Sequence, residues 1–235
     1  GCNAAWPLQE RGLRVLVLDV EAGPARSTTR AAAGFVGLFA IVHHSEWQAE
    51  EWAMQDYGVE FYTRLAATSD RDFAFRPSGI VYIYCTEERW RDAQPNVAAA
   101  TELGTPLETL TRERAAQVLP QLRFEETAGL LFDPRSVRLR AADAIPALAQ
   151  RVQARGGEIR YGVQVESFEA ESDRLVALRT SGGRVDCDRA IVAAGAWSRP
   201  LLAPLGVRLP AEPVLVARYT TAPLPGVDIT MPMLM

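Results

Sequence analysis

An α/β fold, built on a parallel sheet with a mixed, antiparallel α+β layer inserted into the chain, is what three stretches predict. Leu13–Asp19 is a short apolar run without alternation, entered through Gly12 and closed by a carboxylate. That pattern suits a strand buried on both faces of a parallel sheet. From Ala141 onward, Ala142, Ile145, Leu148, Ala149 and Val152 form one helical face, ended by Gly156-Gly157 and followed by a strand over 158–165. Arg189 to Ala194 reads as a further buried strand, opening into the small-residue turn Gly195-Ala196-Trp197-Ser198. Between the first and second of these stretches, strands and helices mix without βαβ regularity, which predicts a separate antiparallel layer.

The chain opens with a helix over 1–12, with Ala4, Ala5 and Leu8 at helical spacing and Gly12 as its C-terminal stop. Helix, glycine turn and buried strand ending in Asp19 form the second half of a dinucleotide-binding βαβ unit, in which the strand-end carboxylate accepts hydrogen bonds from a ribose. The full fingerprint has a strand and a G-x-G-x-x-G turn ahead of the helix, so that backbone can approach a pyrophosphate. Gly1 reads as its third glycine, which places the first strand and the other two glycines upstream of this sequence. Pro7 is a departure, since inside a helix it removes a hydrogen bond and costs about 3 kcal/mol unless the helix kinks.

After the loop at Gly23-Pro24 comes Ser27-Thr28-Thr29-Arg30-Ala31-Ala32-Ala33-Gly34. Its amides, hydroxyls and guanidinium could line a diphosphate. It reads equally as an ordinary helix start capped by Ser27 or Thr28. Phe35–Val42 is apolar, a strand or a buried loop under a cofactor ring. His43 and His44 follow; being adjacent, they cannot both face one site, and they also suit a polar helix start.

A helix is predicted over 45–67, with Trp47, Trp52, Tyr57, Phe61 and Leu65 as core contacts. A turn at Arg76-Pro77-Ser78-Gly79 leads into Ile80–Tyr84, a strand compatible with an exposed edge. Thr86 caps a helix running to about Leu103 through Pro95, and a short strand over 107–110 follows. Thr111 starts a helix ending near Pro120, and Gly129–Phe132 is a strand closed by a turn at Asp133-Pro134. Residues 166–179 form a hairpin turning at Ser172-Asp173, and 181–184 turn again into Val185–Asp188.

Composition narrows the classes. The 235 residues fit one or two domains, with 48% hydrophobic residues for the core. A net charge of −4 argues against general nucleic-acid or anionic-membrane binding. No apolar run is long enough to span a bilayer, and no signal peptide opens the sequence. Cys2, Cys85 and Cys187 are scattered without C-x-x-C spacing, which fits free thiols in a reducing cytoplasm and no metal site.

Taken together, these segments resemble the D-amino-acid-oxidase-like family of FAD-dependent oxidoreductases, which includes glycine oxidase and the sarcosine and dimethylglycine oxidoreductases. The resemblance runs in order over nearly the whole chain. Gly1, Ala5, Leu8, Gly12 and the strand to Asp19 are similar to the family's first helix and second strand. Ser27 to Gly34 is similar to its flavin-contacting loop, and Phe75–Ile83 to its first substrate-domain strand. The strand end at Val165 is similar to the one that contacts adenine through its backbone, and Ala193-Ala194-Gly195-Ala196-Trp197-Ser198 to the second glycine motif.

The resemblance implies an α/β architecture with a discontinuous Rossmann-like FAD-binding domain, 1–44 and 141–211, its first strand missing. An inserted mixed/antiparallel α+β substrate domain, 45–140 and 212–235, would be incomplete, so the chain reads as part of a longer enzyme. It implies non-covalent FAD, because the place of the histidine tether in some relatives reads Arg30-Ala31 here. Implied cofactor-binding residues are Gly1, Asp19, Ser27, Thr28, Thr29, Arg30, Gly34, Val165, Ala194, Gly195 and Trp197, with Trp197 packing rather than stacking on flavin. Arg30, His43 and His44 are the candidates for catalysis. The implied reaction is oxidation of the C–N bond of a small amino acid or N-methyl amino acid by hydride transfer to flavin. Electrons would pass to oxygen or an electron-acceptor protein. Two alternatives stay open: an NAD-dependent dehydrogenase, since a ribose carboxylate alone does not tell dinucleotides apart, and a catalytically inactive protein that keeps the FAD fold for binding or assembly.

Overall fold

The computed structural model describes residues 1–37, 49–105, 107–215, 217, 219–222, 224–225, 227 and 231–235. In chain order the elements are α1 (Cys2–Glu10), β1 (Leu16–Asp19), a 3-10 turn (Thr28–Ala31), β2 (Phe35–Val36) and α2 (Ala49–Thr68). Next come β3 (Ile80–Tyr84), α3 (Glu87–Glu102), β4 (Glu108–Thr109), α4 (Arg112–Val118), β5 (Gly129–Asp133) and β6 (Val137–Arg138). The last group is α5 (Ala141–Ala154), β7 (Glu158–Tyr161), β8 (Val165–Glu171), β9 (Arg174–Thr180), β10 (Gly183–Asp186), α6 (Ser198–Leu202) and β11 (Met233–Leu234). His43, His44 and the start of the helix expected from Ser45 lie outside the described residues.

The chain divides into two units, Gly1–Ala32 with Ala141–Arg218 and Ala33–Arg140 with Tyr219–Met235. The breaks fall at 32/33 and 218/219, where the sequence suggests 44/45 and 211/212. The first moves because Phe35 and Val36 pair antiparallel with Arg138 and Val137 inside the second unit.

In the first unit β1 and β7 run parallel, with Leu16 level with Glu158 and Asp19 level with Tyr161. α1 and α5 pack on each other; Ala5 and Trp6 are buried from one side, Leu148 and Val152 from the other. The Arg151 guanidinium lies 5.3 Å from the Trp6 ring centroid. Gln9 closes the end of α5, its Nε2 donating to the Val152 and Arg155 carbonyls at 3.0 and 3.3 Å. The Val152 carbonyl also accepts from the N–H groups of Arg155 and Gly157 at 3.3 and 2.9 Å, so Gln9 adds a side-chain donor to a backbone-closed helix end. β8, β9 and β10 form a separate antiparallel sheet. Its first hairpin turns on Ser172 and Asp173, with φ of 46° and 63°, the left-handed pair that a two-residue hairpin requires.

Three expectations for this unit are corrected. The strand expected over 13–19 begins at Leu16 and is half-buried, with Leu13 51% exposed, because β7 is its one neighbour among the described residues. The single strand expected over 158–165 is two, broken at Gly162, whose N–H donates to the Glu21 carbonyl at 2.8 Å. Residues 189–194 form no strand, and Ile191 is 63% exposed. An apolar run stays out of a sheet when no strand pairs with it, and this one joins neither β1 nor β7.

The second unit is built on a sheet of order β11-β3-β5-β4. Alternation along β3 divides its core. Ile80, Tyr82 and Tyr84 pack with Trp52 of α2, Ala93 and Ala100 of α3, Leu131 and Met233. Val81 faces the other way, toward Leu110, Ala115, Leu119, Phe124 and Leu130. A strand covered on both faces belongs in the middle of a sheet. β3 does sit there, between β5 and the parallel β11, and not at the expected edge. The two flanking helices start where hydroxyl caps predict, Thr86 Oγ1 accepting from Arg89 N–H at 3.3 Å and Thr111 Oγ1 from Arg114 N–H at 3.2 Å.

Candidate cofactor site

The site is built at the carboxyl end of the β1–β7 pair, the edge where parallel sheets hold their ligands. α1 crosses that sheet closely: a Cβ added to Gly1 would lie 3.3 Å from Cγ1 of Val17. The third glycine of a dinucleotide fingerprint is there for this close helix–strand packing. The Gly1 carbonyl accepts from the N–H groups of Ala4 and Ala5 at 3.0 and 3.1 Å, which fixes the first turn of α1.

Asp19 ends β1 and is half-buried. Its Oδ1 accepts the Glu21 N–H at 3.0 Å, an arrangement that orients the carboxylate and leaves Oδ2 open to a further donor. Its carbonyl accepts from Val163 N–H at 3.0 Å, which ties the loop after β7 to the end of β1. Two residues later Val165 opens β8, where the sequence suggests the end of a strand. Tyr161, read from the sequence only as part of a strand, is level with Asp19. No motif marks it: the expected strand runs on to Val165, and only the register of β7 against β1 sets Tyr161 beside the carboxylate. Burial pushes the Tyr161 phenol up, with the Cys2 thiol and the Asp19 carboxylate adding to it. Burial also raises the Cys2 thiol, and Asp19 again adds.

Ser27, Thr28, Thr29 and Arg30 are all exposed. Ser27 stands at the N-cap position of the 3-10 turn, yet its side chain makes no capping hydrogen bond. The helix-cap reading therefore fails; the turn packs on α5 and presents its hydroxyls and guanidinium outward. Gly34 lies in the other unit. A Cβ there would fall 1.9 Å from the Leu139 carbonyl oxygen, and φ is +84°, so the crossing of two backbones by itself demands glycine.

Gly195, at φ +55°, follows Ala194 and opens the 3-10 turn leading into α6; nothing stands within 4 Å of where its Cβ would be. Trp197 is 65% exposed, which overturns the expectation that it packs.

A strand-end carboxylate, a helix N-terminus held against the strand by glycine and a hydroxyl-rich turn define a dinucleotide-binding protein. The chain belongs to the FAD dependent oxidoreductase family, whose model matches residues 1–234. It is 32% identical to 4-methylaminobutanoate oxidase (formaldehyde-forming) of Paenarthrobacter nicotinovorans over 154 residues, 66% of this chain and 19% of that protein. It is 25% identical to the D-amino acid dehydrogenase of Xylella fastidiosa (strain M12), covering 100% of this chain and 62% of that one. Among solved structures, glycine oxidase from Geobacillus kaustophilus superposes with a TM-score of 0.74 at 22% identity, covering 89% of this chain and 56% of that one. The chain thus spans less than two thirds of the length of these relatives. Among the described residues no helix is long and apolar enough to cross a membrane.

Proposed function

We propose that this protein oxidises the C–N bond of a small amino acid or N-methyl amino acid, delivering hydride to FAD. Hydride acceptance is the chemistry FAD supplies when bound; the chain binds, orients and shields. In this reading Asp19 takes the ribose hydroxyls through its open oxygen, a charge-assisted bond. The first-turn amides of α1 meet the diphosphate, and Gly1 permits the close packing of α1 on β1 that places them there. Ser27, Thr28, Thr29 and Arg30 offer further donors, Val165 meets adenine through its backbone, and Ala194, Gly195 and Trp197 form a second loop beside the nucleotide. Gly34 shapes the neighbouring chain. Arg30, His43 and His44 are the side chains proposed nearest the chemistry, and the electrons leave to oxygen or an acceptor protein.

The observation that carries this reading is the placement of Asp19 at a parallel-strand end on the face covered by α1. Membership of an FAD family sets aside the NAD alternative. The test is the absorbance spectrum of the purified protein, followed anaerobically with sarcosine, glycine and D-alanine in turn. A flavin spectrum that bleaches with one of them supports the proposal. A protein that takes up no flavin, or whose flavin bleaches with none of a panel of amines, defeats it.

A further inference from the structure

Parallel neighbours that are level in register project their side chains to the same face of a sheet. Val17 turns toward α1, since its Cγ1 is 3.3 Å from the Gly1 Cβ position. Asp19, two residues on, shares that face, and Tyr161 shares it through register. Cys2 is the first residue of α1. The carboxylate, the phenol and the thiol therefore converge on one side of the strand ends. Both loops beyond are fixed by backbone bonds, Gly162 N–H to Glu21 O at 2.8 Å and Val163 N–H to Asp19 O at 3.0 Å. The ring of Tyr161 is thus held beside Asp19 by the fold itself.

From this juxtaposition we infer that Tyr161 is an adenosine-binding residue, its ring forming the wall against which the adenosine of FAD rests, with Cys2 at the floor. The inference rests on the FAD reading above. A flat aromatic face suits a purine, and an uncharged phenol adds a donor without setting a second negative charge against a diphosphate. A phenol is neutral at physiological pH, and burial pushes this one further up. Asp19 has one oxygen occupied by Glu21 N–H, so a neutral neighbour completes the polar edge better than a second acid would.

The test compares the flavin-free wild type with Tyr161→Phe and Tyr161→Ala, titrated with FAD and with ADP. Loss of a stacked ring is expected to weaken both ligands about tenfold in Tyr161→Ala. Tyr161→Phe keeps the ring and should stay within about threefold of wild type. An independent readout needs no substitution: ADP should slow iodoacetamide alkylation of Cys2 in the wild type and leave the exposed Cys85 unaffected. Unchanged affinity in Tyr161→Ala, or Cys2 alkylation at one rate with and without ADP, overturns the inference while leaving the FAD reading intact. A wild type that binds neither FAD nor ADP overturns both.

Discussion

Glycines at the proposed site of the first unit contrast with two in the core of the second. In the second unit Gly34 and Gly129 are jammed: a Cβ at Gly34 would meet Leu139 O at 1.9 Å, and one at Gly129 would meet the Trp90 ring at 2.1 Å. At the site of the first unit Gly195 has a left-handed φ and nothing within 4 Å, and Gly1 has a single contact at 3.3 Å. The strands differ in the same way. β3 and β5 are mostly buried, whereas β1 is half-buried along its length. One unit is closed by its own side chains. The other keeps backbone close to an open edge, the property a dinucleotide site requires.

The largest effect should therefore come from filling a jammed position. Gly34→Ala combines a backbone clash with a strained φ, and each alone costs roughly 1–3 kcal/mol. We expect a loss of about 3 kcal/mol or more in urea unfolding. A change below 1 kcal/mol, on the order of a tolerated surface substitution, would show that the two chains do not cross as described.

Next is the response to alkali, which belongs to the closed unit. Tyr82 is 1% exposed, and burial, then Asp133 and Tyr84, hold its phenol far above the ordinary range. Burial does the same for Tyr84. A tyrosine raised in the folded state gives stability that is complete below its unfolded pKa of about 10 and is lost as pH rises beyond it. Stability should fall above about pH 10, by up to about 1.4 kcal/mol per pH unit for each such group. Tyr82→Phe should flatten that decline, seen as a smaller drop in urea midpoint between pH 9.5 and 11.5 (roughly spanning the unfolded value). An equally steep decline in the variant would assign it to other groups.

An open position should respond less. Gly195→Ala meets no neighbour, so its expected cost is the left-handed φ alone, about 1 kcal/mol. If FAD retention falls far more than stability, the second loop lies against the nucleotide as proposed. If the two fall in step, the turn is structural only.

How much of this was legible beforehand follows range of interaction. The caps Thr86 and Thr111, the hairpin turn at Ser172-Asp173 and the helix stop at Gly156-Gly157 are local chemistry, and each stands where the sequence puts it. The interior place of β3 was hidden because its second neighbour, β11, comes from residues 233–234, and no pattern near Ile80 announces it. Gly34 resembled a cofactor-loop glycine, yet its constraint comes from Leu139. For the site, Asp19 was readable as a strand end, whereas Val165, expected to be one, opens β8. Tyr161 was not singled out, since its position depends on register between β1 and β7 and not on any motif.

The smallest expected effect tests whether the open unit is held by few, specific contacts. Gln9 donates from α1 to two carbonyls at the end of α5, and Gly157 passes so near that a Cβ there would come within 2.6 Å of Gln9 Nε2. Gln9→Ala removes both bonds at a half-exposed helix end where water can replace them, so the loss should be about 0.5–1 kcal/mol. Because α1 begins at Cys2, beside the proposed site, loosening its far end should weaken nucleotide binding: excess FAD should then stabilise the variant less than the wild type and widen the deficit, by mass action on the folded state. Thermal unfolding with and without excess FAD separates the cases. A deficit that FAD leaves unchanged would mean that α1 is fixed against β1 without help from α5.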